Sequence, residues 1–187
     1  MNSKEACKVI LSEEERRMKG VLSIYHPNAK GTGGALKMAI VPASNNDEGK
    51  VWIMAARQSI GVHRGYTLSD IGYPLFNWDD AICASLSPVD VARLLMVFRG
   101  ECESVDDGAG IFMRFPGENC DAVKVTLRHV VEPVAGYQFE FVHSFRESGE
   151  KDAETKTETV HVFLGAAEAL AISLALEQSM RLLAFGE

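Results

Sequence analysis

The sequence predicts an α+β fold: two antiparallel four-stranded sheets packed on a helical core, with a ββββα unit occurring twice. Three observations carry this expectation. Strand-like segments come in two runs of four, joined by short turn-rich loops, as antiparallel meanders require. Each run ends in a helix, and the two junctions are written alike. "ASLSPVDVARLL" and "VFLGAAEALAISL" both place Ser or Gly at the cap and an acid three residues on. Finally, each sheet needs a cover on one face, the two helices carry the apolar stripes to supply it, and the outer sheet faces are then expected to look outward, available for a ligand. The duplication is one of architecture, not of sequence.

The elements follow in order. Residues 4–18 predict a short charged helix. "GVLSIYH" (20–26) alternates apolar with small or polar residues, as a half-buried strand does. "NAKGTGG" (28–34) is a Gly-rich turn, and "ALKMAIVPA" (35–43) is a strand that Pro42 ends or places on an edge. "SNNDEG" (44–49) has hairpin chemistry, and "KVWIMAARQ" (50–58) is the third strand. Residues 59–74 predict a long surface loop, and "NWDDAICASL" (77–86) a fourth strand. Ser87 caps the first helix, "SPVDVARLLMVF" (87–98), with Pro88 at its first position and Asp90 at the third. Val91, Leu94, Leu95 and Phe98 form its apolar face, and Gly100 follows its end.

The second run reads as strands at 109–116, 122–131, 137–145 and 158–164. A charged hairpin loop (146–157) precedes the last of them. A longer helix at 165–185 closes the chain, with Gly186 after it. That helix is apolar almost throughout and is expected to be buried. On β-parity Phe139, Phe141, His143 and Phe145 are the core face of their strand. The domain reading is a charged segment at 1–18 and one domain at 19–187, with halves 19–100 and 101–187.

Composition narrows the function. With 187 residues, 47% of them apolar, the chain can bury a core without staples. No apolar run reaches the ~18 residues of a membrane helix, so no membrane partner is expected. The first residues mix acids and bases and lack an apolar leader. Cys7, Cys83, Cys102 and Cys120 form no CxxC pair, and Cys83 reads as a small buried hydrophobe. A reducing cytoplasm is the expected setting. His129, His143 and His161 show no metal-ligand spacing, Asp79 and Asp80 would point to opposite strand faces, and no catalytic motif is present. No cofactor and no enzymatic activity are expected.

The net charge of −7 argues against a nucleic-acid partner, but its distribution does not. Residues 147–187 hold eight acids against three bases, whereas residues 19–66 hold six bases against Asp47 and Glu48. The basic region covers the first three predicted strands.

Together these features resemble the Whirly family of single-stranded-DNA-binding proteins, and the related mitochondrial guide-RNA-binding proteins and positive-cofactor transcription coactivators. The strongest match is "FNWDDAICASLSPVDVARLL", similar to a Tyr-Asp-Trp run, a strand ending Leu-Ser, and a short helix. "VHVFLGAAEALAISLALEQSM" resembles the closing strand and helix, and "ALKMAIVPA" a strand ending Ala-Pro-Ala. The family's Lys-Gly-Lys-Ala-Ala-Leu motif is not intact; its stand-in is Lys19-Gly20-Val21-Leu22, in preference to Lys30-Gly31 with Gly34-Ala35-Leu36.

The resemblance implies binding of single-stranded DNA, or RNA, with little sequence preference, in replication, recombination, repair or transcription. It also implies a homodimer or homotetramer, associated with the nucleoid. Single-strand binding needs cations for phosphate and flat surfaces for bases. The candidate binding residues are Lys19, Lys30, Lys37, Lys50, Trp52, Arg57, Arg64, Lys124 and Arg128, with Arg114 and Arg146 extending the face of the last two. Trp52 is either a stacking platform or core, and Trp78 reads as a packing anchor, in the core or at the sheet edge against the helix. Two other readings stand beside this one. The first is an oligomeric scaffold using the same fold without nucleic acid. The second is a small-molecule enzyme with 59–74 as a lid.

Overall fold

A computed structural model describes residues 19–44, 47–59, 75–114, 122–132, 134–146 and 154–186, with only the backbone of Lys19 and Val21. The predicted helix at 4–18 and nearly all of the 59–74 loop, Arg64 included, lie outside the described residues.

The first unit comprises β1 (Lys19–His26), β2 (Gly34–Val41), β3 (Lys50–Arg57), β4 (Ile82–Leu86) and α1 (Pro88–Phe98). The second comprises β5 (Ile111–Arg114), β6 (Ala122–Val130), β7 (Gly136–Arg146), β8 (Thr155–Leu164) and α2 (Ala166–Phe185). Each unit forms one four-stranded sheet in sequence order, antiparallel at every pairing. The repeated ββββα plan is therefore the observed one.

The register explains which side chains meet. β2 and β3 pair without a break from Gly34↔Arg57 to Val41↔Lys50. β6 and β7 pair from Ala122↔Ser144 to Val130↔Gly136. Period-two alternation then sends Leu36, Ile53, Ala84, Val125, Leu127, Phe139, Phe141 and Val162 to the inner faces. There they share one core with Val91 and Leu94 of α1 and Ile172 and Leu176 of α2. Of the face predicted for β7, Phe139 and Phe141 lie in this core; His143 is buried outside it and Phe145 is half-buried.

The start of α1 behaves as its sequence dictates. Ser87 Oγ accepts from the Asp90 amide at 3.2 Å, and the Asp90 carboxylate accepts from the Ser87 amide at 3.1 Å. Two amides that the helix cannot satisfy internally are thereby paired. Ser87→Ala is expected to lower stability by about 1 kcal/mol, measured as a shift in the urea midpoint with an unchanged slope. α2 ends at Gly186 with φ 78°, and its last carbonyls meet a hairpin: Ala43 N–H donates to Leu182 O (2.9 Å) and Gly49 N–H to Leu183 O (3.1 Å).

Three expectations are corrected. The strand predicted over 77–86 is only Ile82–Leu86, because Trp78–Asp80 is a single 3₁₀ turn. Asn77 Nδ2 donates to Asp80 Oδ2 at 2.8 Å, the kind of local side-chain bonding that competes with a strand ladder. Asp79 and Asp80 therefore do not alternate across a strand; both are exposed. Second, α2 is not buried all round. Its buried positions are Ala169, Ile172, Leu176, Ser179 and Leu183, one stripe at three- and four-residue spacing. Leu170 is 60% exposed, Leu174 50% and Phe185 77%. Third, the outer face of the first sheet is not open. Ala35, Ala39, Val41, Trp52, Ala56 and Cys83 form a second apolar cluster there beneath Phe76, with Leu75 and Trp78 packed on it. Cys83 is buried as predicted, but in this cluster.

Candidate nucleic-acid interface

The outer face of the second sheet is assembled by register. Val123, Val125 and Leu127 point inward, so Lys124, Thr126 and Arg128 point outward on β6. Pairing across the sheet then lines up three outer rows: Phe112–Lys124–Val142–Thr159, Thr126–Glu140–His161 and Arg128–Gln138–Phe163. Arg114 opposes Ala122 and Arg146 opposes Thr155 on the same side. The strand residues of this face thus set Arg114, Lys124, Arg128 and Arg146 against the single carboxylate of Glu140. The two positions proposed from sequence to extend the Lys124–Arg128 face do so.

The side chains on this face are held in place. Lys124 Nζ donates to Gly108 O at 3.0 Å and lies 5.5 Å from the Phe112 ring centre. Phe112 is 62% exposed, a large aromatic turned to solvent from a sheet face. Arg128 donates through Nε and Nη2 to Gln138 Oε1 at 3.0 and 2.6 Å. His161 Nδ1 lies 3.6 Å from Glu140 Oε2, so the carboxylate has a titratable neighbour.

The first sheet meets this face along a seam. A Cβ on Gly34 would lie 2.3 Å from the His161 carbonyl oxygen, so only glycine lets β2 approach β8 this closely. Arg57 Nε donates across the seam to Thr159 O at 3.2 Å. A cleft of about 270 Å³ opens there, lined by Gly31–Gly33, Arg57, Gln58 and Thr159–His161. Buried Gln58 shapes the Gly-rich turn: its Oε1 accepts from the Asn28 and Gly33 amides at 2.8 and 3.0 Å, and its Nε2 donates to Asn28 O. Lys30 is exposed on that turn.

The remaining predicted residues fall on the first sheet's outer side. Trp52 is 2% exposed, so the open choice for it resolves to packing: it is no stacking platform. Lys50 Nζ is 5.8 Å from its ring. The reachable aromatics are instead Tyr25, which is exposed, and Trp78, which is half-buried, with ring centres 6.3 Å apart. Lys37 Nζ sits 4.1 Å over the Trp78 ring, a cation–π contact. Trp78 packs on this outer cluster and not against a helix; its acidic neighbours in sequence concealed that position. Tyr25 carried no motif, only β-parity. Lys19 is placed in β1 by its backbone alone.

The structure therefore brings Lys124 and Arg128 together with Arg114, Arg146 and Phe112. It sets Arg57 and Lys30 at the seam and gathers Lys37 and Lys50 on the other sheet. Cations beside exposed rings suit phosphate contact and base stacking. Among the described residues no cluster of three or more His, Cys, Asp or Glu could hold a metal. Burial, reinforced by Asp107, Glu101 and Asp106, raises the Cys102 thiol pKa, which makes it a poor nucleophile at neutral pH. None of the described helices is long and apolar enough to cross a membrane.

No protein-family model and no curated protein sequence matches the chain. Solved structures do. The plant transcriptional regulator PBF-2 aligns with a TM-score of 0.59 at 15% identity, over 88% of this chain and 81% of that one. WHY3 from Arabidopsis thaliana aligns with a TM-score of 0.59 at 15% identity, over 89% of each chain. WHY1 from Arabidopsis thaliana aligns with a TM-score of 0.61 at 15% identity, over 89% of this chain and 86% of that one. At that identity the likeness speaks to architecture: the chain has the Whirly-like fold, two four-stranded antiparallel sheets each followed by a helix.

Proposed function

We propose that this protein is a non-enzymatic binder of single-stranded nucleic acid, DNA or RNA, with a largely sequence-tolerant track in DNA replication, recombination, repair or transcription. The observation that carries it is the outer face of the second sheet, where among the described strand residues four bases stand against one carboxylate beside an exposed Phe112. The fold shared with a plant transcriptional regulator supports the same reading. The track runs from Lys30 and Arg57 at the seam across Lys124 and Arg128. Fluorescence polarisation of a labelled oligonucleotide tests it, with single-stranded DNA, duplex DNA and RNA compared across a salt series. Single strands bind best, and log affinity falls with log salt by roughly 0.7 per phosphate contact. No binding of single strands at low salt would overturn the reading.

Self-association belongs to the same proposal. Leu170, Leu174 and Phe185 share one exposed side of α2, and Val89 and Met96, seven residues apart on α1, are exposed as well. An apolar helix side of this kind is what a closed homo-oligomer covers. Leu170→Glu with Leu174→Glu is expected to turn a dimer or tetramer into a monomer by light scattering, with the helical circular dichroism retained. A wild-type monomer at micromolar concentration would remove the proposal of self-association. The same apolar side also supports the second reading, a scaffold that assembles without nucleic acid. That reading gains if charge reversal on the second sheet leaves oligonucleotide affinity unaltered.

A further inference from the structure

One end of the outer face of the second sheet carries a pocket built for more than phosphate. Its volume is about 350 Å³, and Arg128, Val130, Glu132, Val134, Gln138 and Phe163 line it. Its floor is the row Arg128–Gln138–Phe163, three residues paired side by side on β6, β7 and β8. Gly136, next along β7, makes room for the ring: a Cβ there would lie 2.6 Å from Phe163 Cζ. Phe163 thus sets the tip of its ring against bare backbone and lines the pocket. Val134 is 62% exposed and provides an apolar wall.

The polar groups have a defined polarity. Arg128 spends Nε and Nη2 on Gln138 Oε1, which occupies the amide's acceptor and fixes its orientation. What remains on this side is donor chemistry: the Gln138 Nε2 hydrogens and Arg128 Nη1. Among the described residues nothing accepts from either. Glu132 lines the same pocket and contributes a carboxylate that no described residue binds. A carboxylate on a phosphate track is a cost unless it meets donors. Two donors and one carboxylate lining one pocket, beside an aromatic ring, suit a base with two acceptors on one edge and two adjacent donors on another. Guanine has them: O6 and N7 accept, while N1–H and the N2 amine donate. Adenine and cytosine each offer one exocyclic amine, and thymine a single ring N–H between two carbonyls.

We propose that this pocket captures a guanine base from the bound strand. The base stacks on Phe163, its O6 and N7 take hydrogen bonds from Arg128 and Gln138, and Glu132 accepts from N1–H and N2. The inference rests on the single-strand reading above and adds one selective position to an otherwise tolerant track.

The test uses the full chain and oligo(dT) of about nine nucleotides, within the roughly 4–16 that comparable single-strand sites span. The central base is replaced in turn by dG, dA, dC and deoxyinosine, which lacks the N2 amine. The expected result is that the dG strand binds at least about fivefold tighter than all-dT, with inosine between them. Glu132→Gln, an exposed substitution that leaves the core untouched, brings the dG-to-dT affinity ratio close to one. Equal affinity of the wild type for all five strands overturns the pocket and leaves the track standing. A ratio unmoved by Glu132→Gln also overturns it. Failure of wild-type protein to bind even oligo(dT) at low salt overturns both.

Discussion

Replacing Lys124 and Arg128 together by glutamate lowers affinity for single-stranded DNA by at least about 100-fold, since hydrogen bonds to charged groups contribute about 1.5–3 kcal/mol each. The two cations lie on one strand, four residues apart, and so on one side of the sheet. They flank Thr126 at about the spacing of a strand repeat, each within reach of an aromatic ring or an amide that fixes its position. Losing two phosphate contacts also flattens the salt dependence, by about 0.7 per contact in the log–log slope for a single strand. Both changes are read in one polarisation series. Lys124 donates to Gly108 O and Arg128 to Gln138, but both bonds are at the surface, so the variant folds. A thermal melt by circular dichroism checks this. Affinity within about threefold of wild type, at matched salt, would remove the second sheet from the binding site and favour the scaffold reading.

Phe139→Ala is expected to cost about 3–5 kcal/mol of stability. Phe139 has no exposed surface, and its ring centre lies 6.3 Å from Phe98 of α1 and 5.9 Å from Phe141. Truncation loses the transfer energy of the ring and leaves a cavity between sheet and helix that close packing cannot refill. The loss of the aromatic pairs adds about 0.5–1.5 kcal/mol to the area effect. A loss of this size is a large part of the total stability of a domain, so the urea midpoint falls steeply or the variant fails to fold. Phe112→Ala is the matched comparison on the opposite face of the same sheet. It is expected to shift stability by no more than about 0.5 kcal/mol while weakening single-strand binding. Equal stability losses at the two positions would contradict the assignment of inner and outer faces.

Much of this was legible in the residues. Turn chemistry and alternation located the strands, and "SPVD" announced a capped helix that the structure shows bond for bond. The parity of β6 by itself places Lys124 and Arg128 on one face, because a strand's period of two is set by its own backbone. Where sequence and structure differ, the cause is a contact that local pattern does not contain. "NWDD" looked like the start of a strand, but the Asn77–Asp80 hydrogen bond closes a turn there. Trp52 stood open between stacking platform and core, since alternation names a face without saying what covers it. The residues that close over Trp52 come from beyond β3, and Phe76 is remote from it in the chain.

Local pattern therefore decided the element order, the caps, the sheet faces and the ββββα duplication, because each depends on neighbours within a few residues. Tertiary contact alone decided which of those faces stay open. The first sheet's outer face closes under Phe76 and Trp78, while the second sheet's remains a basic, ring-bearing surface. It also decided that α2 buries one stripe and leaves Leu170 and Leu174 to solvent, and that Gly34 brings Arg57 beside Thr159. Exposure is a property of what packs on a residue, and that is set by segments far away in the sequence.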